Sequence, residues 1–566
     1  MSSTSFPLAS RDRLSLLRGS QTGWRTQLAL LAAAVTFVLA LAGLLITHEP
    51  TPIAVPKAIA LHEVLKDRGT ARMLASVHWD RIGVTPMDRR YEILEFFRGP
   101  RLAASVTVGW AGKAVILATT DGAHQTYVYG SNIANDPRVL ALLSIVFVLM
   151  TAVWPVRRVR NLDVLVATST VLSVVMFNES MMGRFVLVTY PALIYLAVRC
   201  AWRGLRSRAT PLPATPLYEQ LTRSWSDVQR LRMLRWAATA MTLIVVMVGF
   251  TSLHILDVGY AVMEGATLIA HGVLPYGHIP DVLHGDTYPI GSYLFYVPFA
   301  LAWPVHNVWD SADVTLAIAV AAGLFIAAGL RWLTNGRPSR AVGGAASATT
   351  GAGLRTVIAV LSFPPLLVTV STGTTDVVLG AMLVVALLLW SRPAAGSAAL
   401  AASAWFKLTP VALLPLWLAR LRGRALSRAV IAVVVASVAL SAVVVALGGA
   451  SAPVEMVRAM SFQFTRSAPQ TPWAIYGSVP LQQLAEAATL ALLAGACVCI
   501  RNDDELASDL TRVAAIAGAV LLGIQVSANY WNYMYLVWVL PFLVLSLLSG
   551  PAEEGAAVNS SGAAVA

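Results

Sequence analysis

The sequence predicts an all-α polytopic membrane protein of about 12–14 transmembrane helices, with a small extracytoplasmic α+β domain inserted after the first helix. Three observations predict this. Of the 566 residues, 57% are hydrophobic and only 12% are charged, whereas a soluble globular chain carries about 25% charged residues. Apolar runs of membrane-crossing length recur from end to end. Most of the polar sequence outside short loops is confined to one stretch, 48–138.

A helix needs about 20 apolar residues to cross the hydrocarbon core. Runs that approach or reach this lie at 26–47, 139–155, 162–177, 185–202, 236–254, 314–332, 355–371, 377–391, 429–448, 479–500, 510–527 and 535–549. The apolar stretch 397–419 is broken by proline and reads as two short helices meeting at Lys407 and Pro410. The first run follows Arg11, Arg13, Arg18 and Arg25. It is too long for the apolar region of a signal peptide, and no small-residue cleavage site stands out after it. It is expected to be a retained helix with a cytoplasmic N-terminus.

The net charge of +12 comes almost entirely from arginine. In a soluble chain this would raise nucleic acid as a partner. Here the arginines cluster between apolar runs, as the positive-inside rule describes, and no nucleic-acid partner is expected. The clusters are Arg157, Arg158 and Arg160; Arg199, Arg203, Arg206 and Arg208; Arg230, Arg232 and Arg235; Arg331, Arg337, Arg340 and Arg355; and Arg420, Arg422, Arg424 and Arg428. Placing them in the cytoplasm puts 257–313, 372–376, Lys407, 449–478 and 529–535 outside the cell membrane. Only one crossing then fits between 257 and 335, and 314–332 fills it. The helix at 290–303, with two tyrosines and a terminal tryptophan, must lie along the membrane surface or dip in and return. Cys200, Cys497 and Cys499 fall at cytoplasmic segment ends, so no disulfide framework is implied. The Cys497-Val-Cys499 pair is too isolated for a metal site.

Within 48–138, the segments 91–97, 101–109 and 113–119 read as strands, because Ile93, Val106, Val108, Val115 and Ile116 are β-formers. Gly99-Pro100 and Ala111-Gly112 supply turns. The expected organisation is a cytoplasmic N-terminus and first helix (1–47), the α+β domain (48–138), accessory membrane helices with a cytoplasmic loop (139–230), a catalytic membrane domain (231–549) and a disordered tail (550–566).

The stretch 257–304 holds the densest polar and aromatic features. An acidic residue at the mouth of a membrane helix is costly unless it faces water or a partner, which makes Asp257 a functional candidate. The aromatic residues that follow suit the headgroup level. The order Asp257, Tyr260, Gly265-Ala266, Gly272, Pro275-Tyr276 and Tyr288-Pro289 resembles the GT-C superfamily of membrane glycosyltransferases. It is most similar to glycosyltransferase family 87, which includes polyprenyl-phosphate-mannose-dependent α-mannosyltransferases. Ile290 stands where that family has a second proline. The resemblance covers about 240–545, and 1–230 match no pattern.

The resemblance implies that Asp257 is the catalytic or acceptor-orienting carboxylate. This agrees with the chemistry, because glycosyl transfer needs a base for the acceptor hydroxyl. It also implies that Lys407, in Trp405-Phe406-Lys407-Leu408-Thr409-Pro410, meets the donor phosphate. A lysine in an apolar stretch needs an anion or a snorkelling path. Arg458 and Arg466, cations expected on the outer face, are further candidates for the phosphate. Asp376 follows Gly373-Thr374-Thr375 where the family has a Gly-Gln-x-Asn element. It either caps the next helix or touches sugar or acceptor.

Tyr260, Tyr276, His284, Asp286, Tyr288 and Gln470 are candidates for sugar or acceptor binding, and so are Asn529, Trp531 and Asn532. In this last turn Tyr533 and Met534 replace a histidine pair seen in some family members. Asp281-x-x-His284-x-Asp286 could hold a divalent cation or be solvated loop residues, and the resemblance fixes no cofactor.

The function expected is transfer of mannose or arabinose from a polyprenyl-phosphate donor to a lipid or glycan acceptor of the cell envelope. The reaction would take place on the extracytoplasmic face. A transporter or flippase would instead show internal repeats and midplane charges, and none is evident. A catalytically inactive scaffold is the other alternative.

Overall fold

The computed structural model describes residues 57–66, 68–86, 91–98, 101–109, 116–120, 131–178, 182–206, 214–252, 255–279, 285–303, 308–335, 345–465 and 471–548. The expected first membrane helix at 26–47 and the tail at 550–566 lie outside the described residues.

Two helices, α1 (Lys57–Lys66) and α2 (Arg68–Ser76), precede a four-stranded sheet of β1 (Arg81–Pro86), β2 (Tyr91–Arg98), β3 (Arg101–Gly109) and β4 (Ile116–Thr120). The strands pair antiparallel in sequence order. Alternation explains the packing: Leu94 and Phe96 on β2, and Ala104, Val106 and Val108 on β3, point to one face. There they bury against Ala60, Val64 and Leu74 of the two helices. The strand β1 has no counterpart in the sequence reading, because Gly83 and Pro86 weaken its pattern.

The accessory helices follow as α3 (Pro137–Thr151), α4 (Val159–Ser169), α5 (Val171–Asn178), α6 (Met182–Leu205) and α7 (Asp227–Phe250). Local chemistry sets their starts. Asp136 caps α3 ahead of a proline at its first position, and Ser226 with Gln229 forms a capping box on α7. The remaining helices are α8 (Asp257–Ala270), α9 (Ile290–Ala302), α10 (Val308–Asn335), α11 (Ala345–Leu361), α12 (Pro364–Ser371), α13 (Thr375–Leu388) and α14 (Pro393–Phe406). A 3₁₀ turn at Thr409–Leu413 leads into α15 (Leu414–Ala419). Then come α16 (Gly423–Gly448), α17 (Ala452–Thr465), α18 (Val479–Asn502), α19 (Leu510–Ser527) and α20 (Leu536–Leu543).

Seven helices among the described residues are long and apolar enough to cross a membrane, or eight if α11 and α12 form one span bent by 57°. This is fewer than the 12–14 expected. The difference lies in α3, α13, the 409–419 segment and 533–548, which are apolar but shorter. They nevertheless run between the same two ends of the bundle as the long helices. Asp376, at the start of α13, touches Lys407 and Trp538, and Trp390, just past its end, lies under Arg420. Proline explains the bend, since Pro364 and Pro365 restart the chain after α11. The protein is an all-α polytopic membrane protein in which α19 is central and α16 peripheral: the apolar windows of the two are 78% and 6% buried.

Arginines gather at one end of the bundle. Arg199 pairs with Asp163, Arg355 with Glu219, Arg512 with Asp503, and Arg422 with Asp504. The opposite end holds Asp257, the Gly373 turn, Lys407 and the 529–535 turn.

Candidate functional site

Three segments far apart in sequence meet at Thr372. The Leu256 N–H donates to the Thr372 carbonyl at 3.0 Å. The Thr372 hydroxyl lies 3.9 Å from the Met534 sulfur. Gly373 next to it has φ of +62°, and a Cβ there would stand 2.8 Å from Ile255. Glycine is therefore required both for the left-handed turn and for the close approach of the segment before α8. This contact set brings the segments around 257, 373–376 and 529–535 together at one end of the bundle.

At the start of α13, Asp376 Oδ1 accepts from Lys407 Nζ at 2.5 Å and from the Trp538 indole at 2.8 Å. The two charged side chains are buried, with exposures of 12% for Lys407 and 4% for Asp376. Tyr535 and Trp538 stack with ring centroids 4.2 Å apart. The lysine ammonium lies 5.4 Å from the Tyr535 ring centroid and 5.0 Å from that of Trp538. Asp376 also sits in the first turn of α13, where the helix dipole favours a negative charge. The sequence reading set Lys407, with Arg458 and Arg466, as a cationic phosphate site, and Asp376 as a helix cap or a contact to sugar or acceptor. In the fold Lys407 has an internal carboxylate as counter-ion, and Arg466 lies outside the described residues.

The geometry of α9 and α14 places Lys407. A Cβ on Gly291 would fall 2.6 Å from the Trp405 carbonyl oxygen, and the Ser292 hydroxyl donates to the Phe406 carbonyl. The start of α9 is thereby clamped to the end of α14. Lys407 caps α14 in an extended conformation, with its N–H on the Ser403 carbonyl. The side chain can then leave the helix toward α13. Gly265 permits the matching approach of α8 to α9, since a Cβ there would meet the Tyr293 ring.

Asp257 is exposed and opens α8, with its carboxylate accepting the Val258 N–H at 2.8 Å. Solvent or a substrate can reach it, as they can Asp313, which is exposed beside Ala312 and lines the apolar groove. Tyr260 is buried among Ile255, Ala312 and Leu316. Tyr276 is buried as well, and its hydroxyl donates to the Tyr288 carbonyl at 3.1 Å. Burial, with the Asp286 carboxylate nearby, pushes the Tyr276 phenol pKa well above its ordinary value. Asp286 accepts the Gly277 N–H at 2.9 Å, and Tyr288 receives the Tyr276 bond on its carbonyl. These three residues close the 276–288 loop. His284 and Asp281 lie outside the described residues, so the proposed cation cluster has only Asp286 among them.

Trp531 is fully buried and surrounded by Phe185 and Tyr190, which leaves no ring face for a sugar to stack on. Asn532 is buried and caps the 533–535 turn through the Met534 N–H. Asn529 donates to the Phe464 carbonyl at 3.0 Å, linking this turn to α17. Arg458 is exposed on α17, and Gln470 lies outside the described residues. Trp538 and Tyr535 were missed by the sequence reading. The available signal was the aromatic density of Tyr530-Trp531-Asn532-Tyr533-Met534-Tyr535 running on to Trp538.

An apolar groove of about 940 Å³ lies among the neighbouring helices, with Asp313 as the charged residue on its wall. Its walls come from α7, α9, α10 and α13 and include Phe250, Phe295, Phe299, Trp303, Ile318 and Val378. Phe295 also packs edge-on against Phe406, beside Lys407, and Val378 lies two residues beyond Asp376. Among the described residues no group of three or more His, Cys, Asp or Glu side chains could hold a metal ion.

A bundle of apolar helices with polar residues gathered between helix ends and an apolar groove among them defines a multi-pass membrane protein. This is consistent with a GT-C-like membrane glycosyltransferase. Specifically, residues 287–546 match the family model of Glycosyltransferase family 87. That family implies a membrane glycosyltransferase, with a sugar donor and an acceptor as its substrates. The match begins after Asp257 and leaves out the sheet domain and the accessory helices. No curated protein and no solved structure matches the chain.

Proposed function

We propose that the protein transfers a sugar, mannose or arabinose, from a polyprenyl-phosphate donor to a lipid or glycan acceptor of the cell envelope. The reaction takes place on the extracytoplasmic face of the cell membrane. Asp257 takes the proton of the acceptor hydroxyl as that oxygen bonds to the anomeric carbon, and the lipid phosphate leaves with the electron pair of the broken bond. Lys407, drawn partly from Asp376, faces the departing phosphate, and Arg458 and Arg466 are further cations for it.

The observation that carries this reading is the position of the apolar groove. It lies between α7, α9, α10 and α13, with the Asp313 carboxylate on its wall. Phe295, which packs against Phe406 next to Lys407, is on another wall. A lipid chain in the groove would run toward the end of the bundle that holds Asp257 and the Lys407–Asp376 pair. The test uses the full chain in lipid vesicles with radiolabelled polyprenyl-phosphate mannose or arabinose and envelope lipid extract. Transfer of label to an acceptor lipid or glycan is expected, together with its loss in Asp257→Asn. No transfer from either donor, under conditions where the protein is folded, would overturn the reading.

A further inference from the structure

We infer that the helices preceding the family match form part of the framework of the site, with Phe177 and Phe185 as positioning residues for the aromatic turn that holds Asp376 and Lys407. The inference rests on the proposed function for its catalytic meaning, although its structural content stands apart from it.

The turn and the accessory helices share one aromatic cluster. Phe185, on α6, packs on Trp531 with centroids 5.5 Å apart, and Phe177, on α5, meets Tyr533 edge-on at 5.4 Å. Tyr190 meets Trp531 from a second side at 6.4 Å. Trp531 and Tyr533 are both fully buried. Without α5 and α6 their rings would face lipid or water instead of protein.

From there a continuous set of contacts leads to the charges. The Trp531 indole donates to Gln525 Oε1 at 3.0 Å, and Gln525 Nε2 donates to the Tyr535 carbonyl at 2.9 Å. The Tyr535 ring stacks on Trp538, whose indole donates to Asp376. α5 also packs against α12, the helix that leads into Thr372 and Gly373. The accessory helices therefore buttress both strands of chain that bring Asp376 and Trp538 together. Close packing of α6 along α19 makes the support stiff: a Cβ on Gly204 would stand 2.5 Å from Ile516 and 2.8 Å from the Arg512 carbonyl.

Ordinary interface packing would also use aromatic pairs, and one such pair provides the control. Phe147 of α3 meets Phe363 at 5.3 Å, joining the accessory helices to the matched part of the chain away from the 529–538 turn. The test uses the full chain in lipid nanodiscs, with Tyr530→Cys as reporter and Cys497 and Cys499 replaced by serine. Maleimide labelling is measured in this parent, in Phe185→Ala and in Phe147→Ala, at temperatures adjusted for equal distance from unfolding.

Phe185→Ala is expected to speed labelling by about two- to tenfold, the range to which an aromatic pair's own preference corresponds, with Phe147→Ala unchanged and Phe185→Tyr restoring the parent rate. In the transfer assay Phe185→Ala should lower kcat, and adding it to Trp538→Phe should lower it little further. Equal labelling in Phe185→Ala and parent, or an equal rise in Phe147→Ala, overturns the inference. A parent that labels normally but transfers no sugar defeats the proposed function alone, and the labelling comparison still decides the positioning role.

Discussion

Lys407 Nζ stands 2.5 Å from Asp376 Oδ1, and both side chains are buried at one end of the helix bundle. Removing one partner of a buried pair leaves an uncompensated charge, which typically costs about 3–5 kcal/mol, whereas replacing both by apolar groups is often close to neutral. Lys407→Met and Asp376→Leu are each expected to destabilise the protein by about that amount. The double variant should recover most of the loss. Thermal unfolding in detergent measures all three, and additive losses would show that the two residues do not act as a pair.

Asp257→Asn should behave differently. The carboxylate is exposed and accepts only its own helix's Val258 N–H among the hydrogen bonds described for it, a bond the asparagine oxygen can keep. Stability should be within about 0.5 kcal/mol of the parent, as for most surface substitutions. Loss of a general base typically lowers rate by about 10²–10⁴-fold, and sugar transfer should fall by that factor. Asp286→Asn, whose carboxylate holds the Gly277 N–H, should retain most transfer. The reverse ranking would move the base from Asp257 to the 276–288 loop.

Gly291→Ala tests how Lys407 is placed. The added methyl would fall 2.6 Å from the Trp405 carbonyl oxygen, and backbone cannot yield as a side chain can. Overpacking of this kind costs about 1–3 kcal/mol. The Ser292–Phe406 bond should weaken with it, so transfer is expected to drop together with the unfolding temperature. Gly495→Ala on α18, where a Cβ meets nothing within 4 Å, is the matched control and should change neither.

The orientation predicted from arginine can be read by labelling. Asp504 is 95% exposed in its side chain at the arginine end, and His278 is exposed at the other end. In intact cells an impermeant maleimide should react with His278→Cys and leave Asp504→Cys unmodified until the membrane is opened. The background needs Cys499 replaced, because it is exposed, whereas Cys200 is buried. Labelling of position 504 from outside would invert the protein and remove the extracytoplasmic reaction.

Much of this was readable from local pattern. The proline-broken stretch at 397–419 announced two short helices meeting at Lys407 and Pro410, and the break falls there, with Lys407 extended and the chain resuming at Thr409. The acid following the 236–254 run marked the mouth of a membrane helix, and the structure adds that Asp257 opens the next helix. Alternating β-formers announced β2 and β3. Each of these depends on residues within a turn or two of one another, and composition sets them.

The sequence alone determined that the chain is a multi-pass helical membrane protein with a polar end at Asp257, the Gly373 turn, Lys407 and the 529–535 turn, since hydropathy and charge act on each segment separately. Only the tertiary structure decided the partners. Asp376 lies 31 residues from Lys407 and 162 from Trp538, and nothing in any one segment says which helix will face which. Trp531 looked like a ring for the membrane interface or for a sugar. Its neighbours Phe185 and Tyr190 come from a helix outside the family match, and their packing buries it. Side chains of the same polarity serve as interface, ligand or core, and the choice is made by which surfaces the helices bury against one another.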